Sequence, residues 1–138
     1  MTFADGIPFT PSLSFDNANT GGPNRPNRLA RGSLEHPTVQ RYFDLSAFAF
    51  PAQFTYGNSE RNVLVGPGTN MLDLSVHRTF PLPIHEASEI QFRAEAFNAL
   101  NRTHFDLPGS AIGTAAAGTI AGTSQPNRQL QFGLKIVF

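Results

Sequence analysis

Asp73, His77, Arg93 and Glu95 are the residues of this 138-residue chain whose types and spacing could do chemistry together. Asp73 and His77 are four apart, and Arg93 and Glu95 two apart, so in extended segments each pair points to one side. Gathered on one polar face, they would make a ligand-contacting site or a carboxylate pair for acid–base work. The plainer alternative is that Arg93 and Glu95 neutralise each other on a face that strand alternation makes polar in any case. The remaining candidates are weaker. His36, His77, His85 and His104 are scattered and form no HExxH or similar spacing, so neither a metal site nor a cofactor is expected. Ser59, Ser110 and Ser124 lack a GxSxG context, which leaves no nucleophile elbow and no expected catalytic residue. The Gly/Ala-rich run at 113–122 lacks the preceding strand and following helix of a phosphate-binding loop. Asn101-Arg102-Thr103 matches a glycosylation acceptor, a triplet common by chance. No enzyme is expected.

The elements that must position these side chains announce themselves by period. In the last nine residues, Leu130, Phe132, Leu134, Ile136 and Phe138 fall on one face, while Gln131, Gly133, Lys135 and Val137 fall on the other. A helix would scatter the apolar set around its circumference, so a strand is expected. Its length suits a bilayer-spanning barrel strand of about 9–11 residues with apolar side chains toward lipid. Leu72, Leu74 and Val76 alternate with Asp73, Ser75 and His77, and Phe80 closes that run before Pro81-Leu82-Pro83. Ile90, Phe92, Ala94 and Ala96 alternate with Gln91, Arg93 and Glu95. Two alternating runs joined by a short connection through Ile84–Ala87 read as an antiparallel hairpin, apolar on its even-numbered face and polar on its odd-numbered face.

Composition narrows the class. Only 14% of residues are charged against about a quarter in ordinary domains, while Gly (12), Pro (11) and Phe (13) are abundant. Zero net charge leaves no electrostatic footprint for nucleic acid, and no nucleic-acid partner is expected. The absence of cysteine excludes disulfides and thiolate chemistry. No run approaches the roughly 18 apolar residues of a membrane helix. Met1–Gly6 does not resemble a signal peptide, so the expectation is either a cytoplasmic protein or the tail of a longer chain.

Residues 1–37 are punctuated by proline, asparagine and glycine, and a segment of that kind buries too little apolar surface to order itself alone. Ile7, Phe9, Leu13 and Phe15 are candidates for a short strand end at a sheet edge. A helical turn capped by Thr38 is expected over Thr38–Phe43. Gly57-Asn58-Ser59 and Gly66-Pro67-Gly68 mark turns. The thirty residues from Asn98 to Asn127 would be unusual as a loop inside a compact domain, but they are ordinary on the outer side of a membrane barrel. The expected organisation is thus external loop over 1–70, a hairpin over 71–97, external loop over 98–127 and a final strand over 128–138. The fold class is all-β, an antiparallel transmembrane barrel fragment with a short periplasmic turn near 81–88. Phe3, Phe9, Phe15, Tyr42, Phe43, Phe48, Phe50, Phe54, Tyr56 and Phe105 fall in the loops, where they would pack the loops together or stack on an external ligand.

Arg61–Gly68, Leu72-Asp73-Leu74-Ser75, Gln91–Asn98 and the terminal Phe138 together resemble the C-terminal end of Oar-like TonB-dependent receptors. Pro8–Pro11, Arg25–Arg28 and Tyr42–Phe48 fit the same ending, so the resemblance spans almost the whole chain. It implies residence in the bacterial outer membrane, a barrel of about 22 strands and a plug. It also implies energy coupling to TonB through N-terminal parts outside this sequence, and transport of an unknown substrate. Leu130, Phe132, Leu134, Ile136 and Phe138 would face outer-membrane lipid, with Phe138 read by the barrel-assembly machinery. Asp73, His77, Arg93 and Glu95 would face the lumen. The rival is a soluble β-rich binding module that buries its even-numbered faces against a second sheet and uses its aromatic loops for carbohydrate or peptide.

Overall fold

Alternation is cleanest where the strands prove longest. The computed structural model describes residues 1–83 and 88–138, so the connection expected at Ile84–Ala87, with His85, lies outside the described residues. In chain order the strands are β1 (Thr2–Ala4), β2 (Pro8–Phe9), β3 (Ser12–Leu13), β4 (Asn27–Arg28), β5 (Phe48–Ala49), β6 (Leu64–Val65), β7 (Thr69–Met71), β8 (Leu74–Pro81), β9 (Glu89–Phe97), β10 (Ala111–Ile112) and β11 (Gln129–Val137). A single 3-10 turn at Leu45–Ala47 is the only helical element among the described residues. The fold is all-β, in two units that are best taken one at a time.

The first unit comprises Met1–Ala4, Thr69–His104 and Gln125–Phe138. Its centre is a three-stranded antiparallel sheet in the order β11-β9-β8. Leu74 pairs with Ala96 and Pro81 with Glu89, while Gln129 pairs with Phe97 and Val137 with Glu89. No bulge interrupts either ladder, so parity is kept across all three strands. The sheet is open, with β8 and β11 as its edges. Beyond Pro81, the Leu82 N–H donates to the Ser88 carbonyl at 2.7 Å and holds the two hairpin arms together.

The run expected as one strand from Met71 to Phe80 is divided. β7 pairs with β1, Thr2 opposite Met71 and Ala4 opposite Thr69, whereas β8 pairs with β9. The change of partner falls at Leu72-Asp73. The Ala99 N–H donates to the Leu72 carbonyl at 2.7 Å, and the Asp73 carboxylate accepts the next N–H along, that of Asn98, at 2.9 Å. A short acidic side chain has replaced a backbone carbonyl as acceptor, as Asp does wherever it competes with a ladder.

The second unit comprises Asp5–Gly68 and Phe105–Ser124. Three two-residue ladders cross it: β2 with β6 and β4 with β5, both antiparallel, and β3 with β10, parallel. Its core is Phe9, Leu13, Phe43, Ala47, Phe48, Leu64 and Ile112, with Tyr42 and Val63 packed against them. The Phe43 ring lies 5.9 Å from both Phe9 and Phe48, edge-on to the latter. Each fully buried Phe contributes roughly 1.5–3 kcal/mol of transfer free energy. The Pro/Asn-rich stretch is therefore ordered by apolar partners far away in sequence, as its composition requires.

Asparagine side chains do the rest. Buried Asn17 donates through Nδ2 to the Ala52 and Thr55 carbonyls, each at 2.9 Å. Asn27 and Asn58 exchange side-chain and backbone bonds: Arg28 N–H to Asn58 Oδ1 at 2.7 Å, and Asn58 N–H to Asn27 Oδ1 at 3.1 Å. Gly57 beside them has no room for a Cβ, which would strike the Arg25 and Pro26 carbonyls. The turn expected at Thr38–Phe43 is not helical. Thr38 and Arg41 close a tight turn there, and the 3-10 turn begins only after Asp44, whose carboxylate accepts from the Ser46 N–H at 3.3 Å.

Candidate functional site

The unbroken register of the three long strands sorts their side chains into two faces. Four even-numbered layers cross the sheet: Leu74, Ala96 and Leu130; Val76, Ala94 and Phe132; Arg78, Phe92 and Leu134; Phe80, Ile90 and Ile136. Eleven of these twelve side chains are apolar. Phe132 and Leu134 are 69% and 67% exposed, and Phe138 beyond them is 96% exposed. An uncovered apolar face of this breadth requires an apolar environment.

Arg78 is the exception to the expectation of an apolar even-numbered face. Its even number places it there, opposite Phe92, and its guanidinium carbon lies 5.2 Å from the centre of the Phe80 ring.

The odd-numbered face carries Ser75, Glu95 and Gln131, then His77, Arg93 and Gly133, then Thr79, Gln91 and Lys135. Three of the four polar residues singled out by sequence meet here. His77 and Arg93 are direct cross-strand partners. Arg93 Nη2 donates to Glu95 Oε1 at 2.6 Å along the same strand, an ion pair with an exposed cation and a largely covered carboxylate. Gly133 contributes no side chain opposite Arg93, and the gap opens a depression of about 270 Å³ lined by His77, Gln91, Arg93, Gly133, Leu134 and Lys135. With one carboxylate against two fixed cations and a histidine, the depression suits an anionic group.

Asp73 stands apart from this face. It lies outside β8 and serves the Asn98 N–H, so the structure does not assemble a pair of carboxylates. Asn98 is itself a residue that sequence reasoning missed. It is 4% exposed, adopts a left-handed backbone (φ 48°), donates from Nδ2 to the Arg102 and Pro126 carbonyls at 2.8 and 3.2 Å, and accepts from the Arg102 N–H at 3.0 Å. Asn after a strand and before a polar turn was the available signal, since Asn enters that backbone region more readily than most residues. A cleft of about 190 Å³ beside it is bordered by Met71, Phe97, Asn98, Pro126 and Gln129.

The other candidates are dispersed. His104 is buried, with Nε2 2.9 Å from the Asn70 carbonyl oxygen, whereas His36 is exposed. Among the described residues no group of three or more His, Asp or Glu is placed to hold a metal ion. Ser59 is buried and its hydroxyl donates to the Glu60 carbonyl at 3.3 Å. Of the loop aromatics, Phe9, Phe43 and Phe48 form the core of the second unit, Phe15 and Phe50 pair at 5.4 Å, and Phe54 and Tyr56 stand 68% and 72% exposed.

Strands of 8–9 residues with an apolar face backing a polar one define the class of membrane-barrel sheets, and among the described residues no helix is long and apolar enough to cross a membrane. The sequence matches the outer membrane beta barrel domain family over residues 1–131, and the chain belongs to that family. Its location is the outer membrane. No curated protein and no solved structure matches the chain.

Proposed function

We propose that this chain is the end of a TonB-dependent receptor barrel of the Oar-like kind, which moves a substrate across the outer membrane through a plugged pore. The observation that carries the reading is the segregation of the sheet, apolar on every even layer but for Arg78 and polar on the odd ones. In that reading Leu130, Phe132, Leu134, Ile136 and Phe138 face lipid. His77, Arg93 and Glu95 face the lumen, where the cationic depression meets either an anionic substrate or a carboxylate of the plug. The open edges of β8 and β11 are then closed by further barrel strands, since unpaired backbone groups are not tolerated in hydrocarbon. The hairpin turn is periplasmic and the connections 1–70 and 98–127 are external, as short and long connections are in outer-membrane barrels. TonB acts through parts outside this sequence, and no catalytic step is involved. The outer-membrane family sets aside the soluble binding module.

The test is isolation of the native gene product from outer membranes, followed by chemical cross-linking to TonB. Recovery of a TonB cross-link that disappears when the plug-side coupling segment is deleted supports the receptor. A folded outer-membrane product that never cross-links would end the transport reading and leave the barrel standing.

A further inference from the structure

The feature that the proposed function leaves unexplained is Arg78. A guanidinium is never deprotonated in proteins, so a lipid-facing arginine must find an anion or water. Its neighbours on the even face are Val76, Phe80, Phe92 and, one strand further, Leu134, none of them charged. The ion pairs among the described residues are Arg41 with Asp44 and Arg93 with Glu95, and Arg78 takes part in neither.

Its direction is informative. Phe80 is the next residue on the same face toward Pro81, where β8 ends, and the guanidinium lies over that ring. The side chain therefore runs along the strand toward the turn end, with its stem on apolar surface and its charge at the level of Phe80, Ile90 and Ile136. That is how a long cationic side chain behaves when its base sits in hydrocarbon and its head reaches the interface. An aromatic ring at that level matches the girdle that marks the edge of the hydrocarbon. Only donors are presented, in the planar fork that suits a phosphate.

Resting on the barrel reading above, we propose that Arg78, seated on Phe80, is a binding site for the headgroup phosphate of a phospholipid in the periplasmic leaflet. The charge that would oppose insertion at mid-membrane becomes, one layer from the turn, an anchor that sets the depth of the hairpin.

The experiment uses the native outer-membrane gene product, in which further strands close the sheet edges, with its arginines labelled by carbon-13 and reconstituted into vesicles of phosphatidylglycerol. Solid-state NMR dephasing of the guanidinium carbon by phosphorus-31 is compared between wild type and R78Q, the difference isolating this side chain. A parallel sample in digalactosyldiacylglycerol vesicles, which hold no phosphorus, is bathed in inorganic phosphate. The expected result is dephasing in phosphatidylglycerol that R78Q removes, with none in the galactolipid sample. A several-fold preference of wild type for phosphatidylglycerol vesicles is also expected, retained by R78K and lost in R78Q. Equal dephasing in wild type and R78Q, or dephasing by free phosphate alone, would overturn the lipid site while leaving the barrel intact. Failure of wild type and variants alike to enter either vesicle would overturn the barrel reading and the lipid site with it.

Discussion

The backbone N–H of Asn98 donates to the carboxylate of Asp73 at 2.9 Å, across 25 residues of sequence, at the end of the sheet where the hairpin arms part. This bond sits where β9 ends and where the chain, passing from β7 to β8, changes partner from β1 to β9. Asn98 then secures Arg102 and Pro126 with its side chain, so three segments meet at one residue. Asp73→Ala and Asn98→Ala are each expected to destabilise this end by about 1–3 kcal/mol, the cost of leaving buried partners unsatisfied. Amide hydrogen exchange should accelerate at 94–98 and 129–131 and remain slow at 90–92. Asn98→Gly, which keeps the backbone conformation, should lose only the side-chain bonds.

Phe43 holds the core of the second unit between Phe9 and Phe48. Phe43→Ala should cost about 3–5 kcal/mol, as large-to-small changes at buried aromatics do. Phe54→Ala removes a ring that is 68% exposed and should change stability little. Denaturant unfolding of the two variants side by side checks the contrast.

A methyl group at position 57 would collide with the carbonyls of Arg25 and Pro26, whereas one at position 22 would meet open space. Gly57→Ala is expected to separate Asn58 from Asn27 and to lower the unfolding midpoint clearly. Gly22→Ala should leave that midpoint in place. Thermal unfolding followed by near-ultraviolet dichroism would report both.

Two carboxylates in the second unit, exposed Asp16 and half-buried Asp44, give it an acid limit. Hydrogen bonds from Thr20 and Gly21 hold the Asp16 carboxyl below its ordinary range, and the Ser46 hydroxyl and the Arg41 guanidinium do the same for Asp44. Because the folded values are depressed, the stability they add is present above the ordinary carboxylate range and is lost as pH falls toward the folded values. The wild type should therefore lose stability below about pH 4. Asp44→Asn should be less stable at neutral pH and show a flatter decline in acid, as read from unfolding midpoints over pH 2–7.

Phe132 occupies the second of the four even layers, far from either end of the strand. Phe132→Arg would set a charge near mid-membrane and is expected to cost about 2–4 kcal/mol of insertion free energy. Gln131→Arg, one residue away on the opposite face, should insert almost as the wild type does. Folding yield into vesicles of the native gene product carrying each variant decides which face meets lipid.

How much of this was written plainly in the sequence depends on length of pattern. The alternating runs read at Leu130–Phe138 and Ile90–Phe97 sufficed to place the strands found at Gln129–Val137 and Glu89–Phe97 and the parity of their faces. The division at Leu72-Asp73 left no trace in that pattern, because Asp73 keeps the polar parity while its carboxylate takes over a bond from the backbone. Ladders such as Pro8-Phe9 with Leu64-Val65 are too short to have a period, and their partners are over fifty residues apart. Arg78 was legible by counting alone, since its even number sets it between Val76 and Phe80 and opposite Phe92.

Pairing distance has a consequence for the order in which the molecule can form. β8 and β9 are joined by seven residues, whereas β1 must wait for residues 69–71, β3 for 111–112 and β9 for 129–137. The hairpin is thus the one long pairing that closes quickly, within the microseconds usual for such turns. Until Gln129–Val137 arrives, the second edge of β9 stays open to any extended chain in its vicinity. The interval between those two events, rather than the stability of the finished sheet, is where this chain is most exposed to mispairing, and where an escort would serve it best.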